Sequence, residues 1–218
     1  MVKFSFGNMK LNAMAKNMGL KQAQVVSFDL PAGWTCPKAN ICKTFANKEN
    51  GKMRKVGKIV CYASKAEGYS PSARRLRWYN FDALKACKTV SAMAELINGS
   101  LPEKVKIVRL HSSGDFFNKM YFMAWVMVAR MNPEIVFFGY TKILNYAMAE
   151  LPDNMRLQYS YGSMDDERMN ALIARPATCY IGEFEGQYPY KVVCGSKDKA
   201  HEDFIAIQNR ESFVLSIH

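Results

Sequence analysis

The strongest constraint on the fold is the order of apolar runs and amphipathic stretches between residues 105 and 175. "VKIVRL" ends in "HSSGDFF" and is followed by "NKMYFMAWVMVARM"; "EIVFFGY" leads through Thr141 and Lys142 into "ILNYAMAEL"; after Pro152, "MRLQYS" precedes "DDERMNALIA". Short β-branched and aromatic runs alternating with helical spacing predict a βαβαβα order. Strands joined by helices pair in parallel, and right-handed crossovers put all strand C-termini on one edge. The predicted class is α/β: a partial (β/α) barrel or an open parallel sheet with helices packed on it, and a loop-rich N-terminal cysteine segment.

With 218 residues, 49% hydrophobic and 22% charged, the chain can bury one substantial core. A single domain over 1–218 is expected, with the cysteine segment at 20–64, the β/α repeats at 82–175 and an extension at 176–218. Within the first sixty-odd residues only "AQVVSFDL" reads as a strand. "DALKACKTVSAMAELINGS" reads as one helix, capped by Asp82 and stopped at Gly99, with Cys87 as a small buried hydrophobe inside it. Asn118 is the expected cap of the next helix, where Met120, Met123 and Met127 read as core filler. No run reaches the roughly 18 apolar residues of a membrane span and no secretory signal opens the chain, so a cytoplasmic protein with no membrane partner is expected.

Ligands of parallel α/β sheets bind outside the carboxyl ends of the strands. Three segments reach that edge: "RLHSSGD" (Arg109 to Asp115), "GYTK" (Gly139 to Lys142) and "YSYGSMDD" (Tyr159 to Asp166). Each turns from an apolar run to small, polar or charged groups, and Gly114 and Gly162 allow a backbone to approach a ligand closely. Asp115 and Lys142 read as a pair suited to the two ends of an amino acid moiety, or as partners of each other. Hydrolytic catalysis finds little support, since the only histidines are His111, His201 and His218 and no G-x-S-x-G elbow is present.

Six cysteines in a reducing compartment point to metal or redox roles rather than to disulfides. Cys36, Cys42 and Cys61 lie in the N-terminal loops; Cys179 and Cys194 form a later, looser pair. Structural zinc prefers repeated C-x₂-C pairs, whereas an iron–sulfur cluster is less demanding about spacing. Spacing alone leaves cluster, zinc and unliganded thiols open. The charge is regional: residues 1–110 carry 20 Lys and Arg against 6 Asp and Glu, and residues 111–218 carry 10 against 13. Lys38 to Lys58 and Arg74, Arg75 and Arg77 beside Trp78 and Tyr79 could meet a nucleic acid or a nucleotide-like substrate, or form a solvated basic face.

"LPAGWTCPKANIC", "CYA", "VRLHSSGDFFNKMYFMAW", "FFGYTK" and "LPDNMRLQYS" resemble the phage-encoded gene-product-eighty-eight family over about residues 20 to 195. The same order of features is similar to the radical S-adenosylmethionine enzymes. That resemblance implies a [4Fe–4S] cluster on Cys36, Cys42 and Cys61, whose fourth iron stays open or is closed by His111, Cys179 or Cys194. It implies S-adenosylmethionine against Tyr62, the loop Ser112, Ser113, Gly114 and Asp115, and Lys142 and Ser160. An electron donor would then be a partner, and the location the host cytoplasm. Those enzymes usually space their cysteines as C-x₃-C-x₂-C; here the three span 26 residues, with "KTFANKENGKMRKVGKIV" between the second and third. Three functions follow: a radical-type enzyme, a cluster-bearing redox or binding protein, and a zinc-stabilised basic protein that grips nucleic acid or a host factor.

Overall fold

The computed structural model describes residues 1–6, 8–181, 192–193 and 201–215. Its strands are β1 (Val25–Phe28), β2 (Thr44–Ala46), β3 (Met53–Lys55), β4 (Ile107–Leu110), β5 (Val136–Thr141), β6 (Met155–Ser160), β7 (Thr178–Ile181), β8 (Val192–Val193) and β9 (Phe213–Leu215). Its helices are α1 (Met9–Asn17), α2 (Tyr62–Tyr69), α3 (Pro71–Ala86), α4 (Val90–Asn98), α5 (Lys119–Met131), α6 (Leu144–Ala147), α7 (Asp166–Asn170) and α8 (Glu202–Gln208). Seven strands form one parallel sheet in the order β1-β4-β5-β6-β7-β9-β8, and β2 and β3 form a separate antiparallel hairpin. The predicted α/β class is correct in its open form: β1 and β8 are opposite edges, so the sheet does not close into a barrel.

From β1 to β7 each new sheet strand is laid beside the previous one. A monotonic order with crossovers of one hand puts the connecting helices on one face. That face is apolar. Val26, Phe28, Val108, Leu110 and Phe137 pack there under α4 and α5, with Phe28 and Phe137 against Trp125 at ring separations of 5.2 and 6.0 Å. The register places Ser27, Arg109 and Phe138 side by side on the opposite face, followed by Tyr140, Ser160 and Cys179. On the N-terminal half of that face, Leu11 and Met14 of α1 and Phe204 and Ile207 of α8 cover Val25, Ile107 and Phe138. Its C-terminal half carries the polar residues.

Several local expectations are corrected. The single helix across Asp82 and Gly99 is two: α3 begins after Ser70, whose hydroxyl accepts from Ala73 N with Pro71 in the first turn, and α4 begins after Thr89, which caps Ala92 N. The Thr89 cap directly after "CK" starts a new helix there and makes a break cheaper than continuation. Cys87 therefore ends a helix rather than lying inside one. Asn118 caps α5 as expected, yet Met123 and Met127 are exposed on its outer side, because Trp125, Tyr121 and Phe122 occupy the buried stripe. α1, the β2–β3 hairpin and α2 form where loop was expected. α1 is capped by Asn8, whose side chain accepts from Lys10 N and Leu11 N.

Candidate functional site

The cysteine segment is a roof over the C-terminal edge of the sheet. Leaving β1, the chain turns through Gly33 and Cys36 and reaches across to the end of β6. There Asn40 N and Ile41 N donate to Gly162 O, and Met164 N donates to Lys38 O. The long gap between Cys42 and Cys61 is the β2–β3 hairpin. Its stem closes through Val56 N and Gly57 N to Lys43 O, each 2.8 Å, and Ile59 N to Ile41 O at 2.9 Å. Its tip is set by Asn47, whose side chain accepts from Glu49 N and Asn50 N. A closed hairpin returns the chain to where it left. The 18 intervening residues therefore separate the two thiols in sequence and not in space.

Cys36, Cys42 and Cys61 line one cavity of about 160 Å³, together with the β4 loop from His111 to Asp115, Lys142, Ser160 and Cys179. Five cysteines are unbridged thiols among the described residues. Cys42 and the Ala63 and Ser64 amides of the first turn of α2 draw Cys61 down to about 6, while Cys61 and burial hold Cys42 above the ordinary thiol range. Burial, then the Asp115 carboxylate and Cys61, pushes Cys36 up to about 12. The Lys142 ammonium pulls Cys36, Cys42 and Cys179 in the opposite direction. Cys61 is thus the one of the three thiols drawn toward the thiolate, the ligating form of cysteine.

The expected cofactor loop lies where the strand order puts it, but apart from the Ser112 hydroxyl its polar side chains are already used. Asp115, buried, accepts from Phe116 N at 2.7 Å, Thr141 Oγ1 at 2.9 Å and Lys142 N at 2.8 Å. Lys142 Nζ donates to Ser160 O, Ser160 Oγ and Tyr161 O at 2.7 to 3.2 Å. Neither ends in the cavity as a free charge, and they form no ion pair with each other. Asp115 instead ties the β4 loop to the end of β5. Ser113 is also committed, its hydroxyl donating to Leu30 O. Gly114, at φ +89, is the position where a side chain would strike Thr35 and Leu30. Tyr62 stands largely exposed at the rim, its hydroxyl donating to Ser112 O at 2.7 Å. Cys194 lies outside the described residues.

His111 and Cys179 both reach the cavity. His111 holds a left-handed backbone at φ 62, uncommon for a residue other than glycine, and burial pulls its pKa down to about 3, so its ring is neutral. Its Nε2 bonds the Tyr121 hydroxyl at 2.9 Å, leaving the buried Nδ1 without a partner. Among the described residues no three His, Cys, Asp or Glu side chains are arranged to hold a single metal ion. A zinc ion would need its sulfurs about 3.8 Å apart, from bonds of about 2.3 Å in a tetrahedron. A cluster presents separate irons and spreads its thiolates wider.

Of two further residues of the site, Glu67 was missed in the sequence, and Arg109 was placed at the edge but given no role. Glu67, fully buried on α2, accepts at Oε1 from Ala32 N (2.8 Å), Arg77 Nη1 (2.9 Å) and Ser113 Oγ (3.2 Å), joining the cysteine roof, α3 and the β4 loop. Arg109 sits inside the sheet face with its side chain in the cavity wall. A charge within an apolar run, "KIVRL", was the one available signal for Arg109; Glu67 had none. The arginines expected to meet a polyanion are partly consumed by the fold. Arg74 and Arg77 are buried and donate to the carbonyls of Lys48, Glu67, Glu49 and Ala63, leaving Arg75 exposed.

No helix among the described residues is long and apolar enough to cross a membrane. No solved structure matches the chain. It is 27% identical over 195 residues to the Gene 88 protein of Mycobacterium phage L5, covering 80% of this chain and 74% of that one. It is 27% identical over 147 residues to the Gene 88 protein of Mycobacterium phage D29, covering 62% and 55%. The family model described as Gene product 88 matches residues 2–206, nearly the whole length, and the chain belongs to that phage family.

Proposed function

We propose that Cys36, Cys42 and Cys61 hold a [4Fe–4S] cluster over the C-terminal edge of the sheet, and that the adjoining cavity takes S-adenosylmethionine in the manner of a radical-type enzyme. The observation that supports this most is the convergence of three thiols, distant in sequence, on one cavity with the strand-end loops. When bound, the cluster would supply the electron that breaks the cofactor's C–S bond. The chain's own residues do the rest. Cys61 is drawn toward the thiolate, Lys142 offsets negative charge on the sulfurs, and Asp115 fixes the loop that walls the cavity. The neutral His111, through Nδ1, or Cys179 would close the fourth iron position if that position is not left to the cofactor. Tyr62, exposed at the rim, would pack against an adenine. An electron donor in the host cytoplasm would be required.

Anaerobic purification followed by iron, sulfide and zinc analysis tests the metal, with about four iron and four sulfide per chain expected. Stoichiometric zinc without iron would refute the cluster. Adding S-adenosylmethionine to the reduced, clustered protein should perturb its electron paramagnetic resonance spectrum; an unchanged spectrum refutes the cofactor and leaves a redox or binding protein.

A second reading rests on the hairpin surface. Met53, Arg54 and Lys55 are all exposed, Arg54 lies over the Phe45 ring at 4.8 Å, and Trp34 is 48% exposed beside them. A basic strip with exposed aromatics suits a nucleic acid. Salt-dependent binding of a single-stranded oligonucleotide, weakened by Trp34→Ala, is expected on that reading; binding indifferent to both salt and Trp34 would exclude it.

A further inference from the structure

The buried polar atoms that lack a partner are not scattered evenly. Three of them, Arg109 Nε, His111 Nδ1 and Ser112 Oγ, come from four consecutive positions at the end of β4, and all three residues line the cavity. Unsatisfied buried groups are uncommon in native structures because each costs the desolvation of a donor or acceptor without return. The guanidinium is the most costly of the three. Arg109 is 91% buried (9% exposed) on the inner face of the sheet. Its delocalised cation is held 5.6 Å from the Tyr140 ring centre, a contact that attracts the charge but accepts none of its hydrogens.

The nearby carboxylates do not pair with it. Asp29 accepts from Ser27 Oγ and Ser113 N, and Asp203 from Lys10 Nζ, Tyr140 Oη and Phe204 N. Neither forms an ion pair with Arg109, and no other described carboxylate does. Lys142, the other cation of the cavity, is saturated by Ser160 and Tyr161. Arg109 is thus the one cation in the cavity wall whose charge no described side chain answers.

We infer that the cavity is an oxyanion-binding site anchored by Arg109, taking the carboxylate or phosphate of a small-molecule ligand. The guanidinium supplies the planar fork that both anions accept in a bidentate manner, and the Ser112 hydroxyl lies close by in the chain as a further donor. A cavity of about 160 Å³ is larger than a lone ion needs, so the anion is one end of a larger ligand. The site depends on protein atoms alone and stands whether or not the thiols carry a cluster.

The test uses the full chain, metal-free and reconstituted, melted in acetate or inorganic phosphate at constant ionic strength, with chloride as reference. Saturable stabilisation by acetate identifies a carboxylate site, and by phosphate a phosphoryl site. Arg109→Gln should weaken that response about tenfold or more and, because it removes an unpaired buried charge, should melt no lower than wild type without anion. Arg109→Lys, which keeps the charge and loses the fork, should bind between the two. A response no greater than in chloride, equal binding by Arg109→Gln, or a free Arg109→Gln protein melting well below wild type would each overturn the inference, the last by showing that the guanidinium is structural.

Discussion

Glu67 offers the sharpest perturbation, because one oxygen holds three segments that share no secondary structure. Replacing it by Ala leaves the Ala32 N–H without its acceptor and Arg77 without its carboxylate, while Ser113 keeps Leu30 O and Arg77 keeps Ala63 O. Breaking a buried ion pair from one side costs about 3–5 kcal/mol, and the unpaired Ala32 N–H keeps the value in that range. With a urea dependence of about 2 kcal/mol per molar, the midpoint should fall by about 2 M. Glu67→Gln behaves differently. Burial raises the Glu67 pKa despite Arg77 and the Ala32 amide, so the charge is poorly accommodated and a neutral isostere that keeps the Oε1 acceptor should cost about 1.5 kcal/mol or less. Urea unfolding of both variants, with metal content in parallel, checks this. Since Glu67 joins the cysteine roof to the β4 loop, Ala should also lower bound metal and Gln should not. Equal losses for Ala and Gln, or a cost below about 1 kcal/mol for Ala, would refute the description of Glu67 as the joint.

Cys87→Ala should leave metal content unchanged and shift stability by about 1 kcal/mol at most, since the thiol only caps α3 with a 3.7 Å contact to Ala83 O; loss of metal would mean the ligands are misassigned. Gly114→Ala should cost about 2 kcal/mol or more by thermal melting, because φ is +89 and the new carbon would lie 2.6 Å from Thr35 Oγ1; an unchanged melting point would contradict the tight loop. Burial raises Asp115 from 3.8 to about 6, so in the metal-free protein its stabilising contribution is complete below about pH 3.8 and is lost as the pH rises through about 6. Wild type should therefore lose on the order of 3 kcal/mol relative to Asp115→Asn between about pH 4 and 7, at about 1.4 kcal/mol per pH unit; taking the difference cancels His111, whose lowered pKa acts in the opposite sense. A flat difference would show that the carboxylate is not desolvated.

The parallel sheet and its C-terminal edge were legible in the residues, because "KIVRL", "EIVFFGY" and "MRLQYS" bury every inward position and the segments between them cannot pair locally. Such runs leave few topologies, and those few put Arg109 to Asp115, Lys142 and Ser160 on one edge. The cysteines were legible as a set, though the meaning of their spacing was not: hairpin closure from Val56 to Lys43 depends on backbone bonds that any residues can make. Which charges stay free is also a tertiary matter. Asp115 and Lys142 look like ligand-binding groups and are consumed by Thr141, Ser160 and Tyr161, whereas Arg109 looks like an interruption of a strand and is the cavity cation left unpaired among the described residues. A side chain's chemistry is written in its own residue. Its availability depends on which donors and acceptors the fold brings within about 3 Å, and those come from positions dozens of residues away.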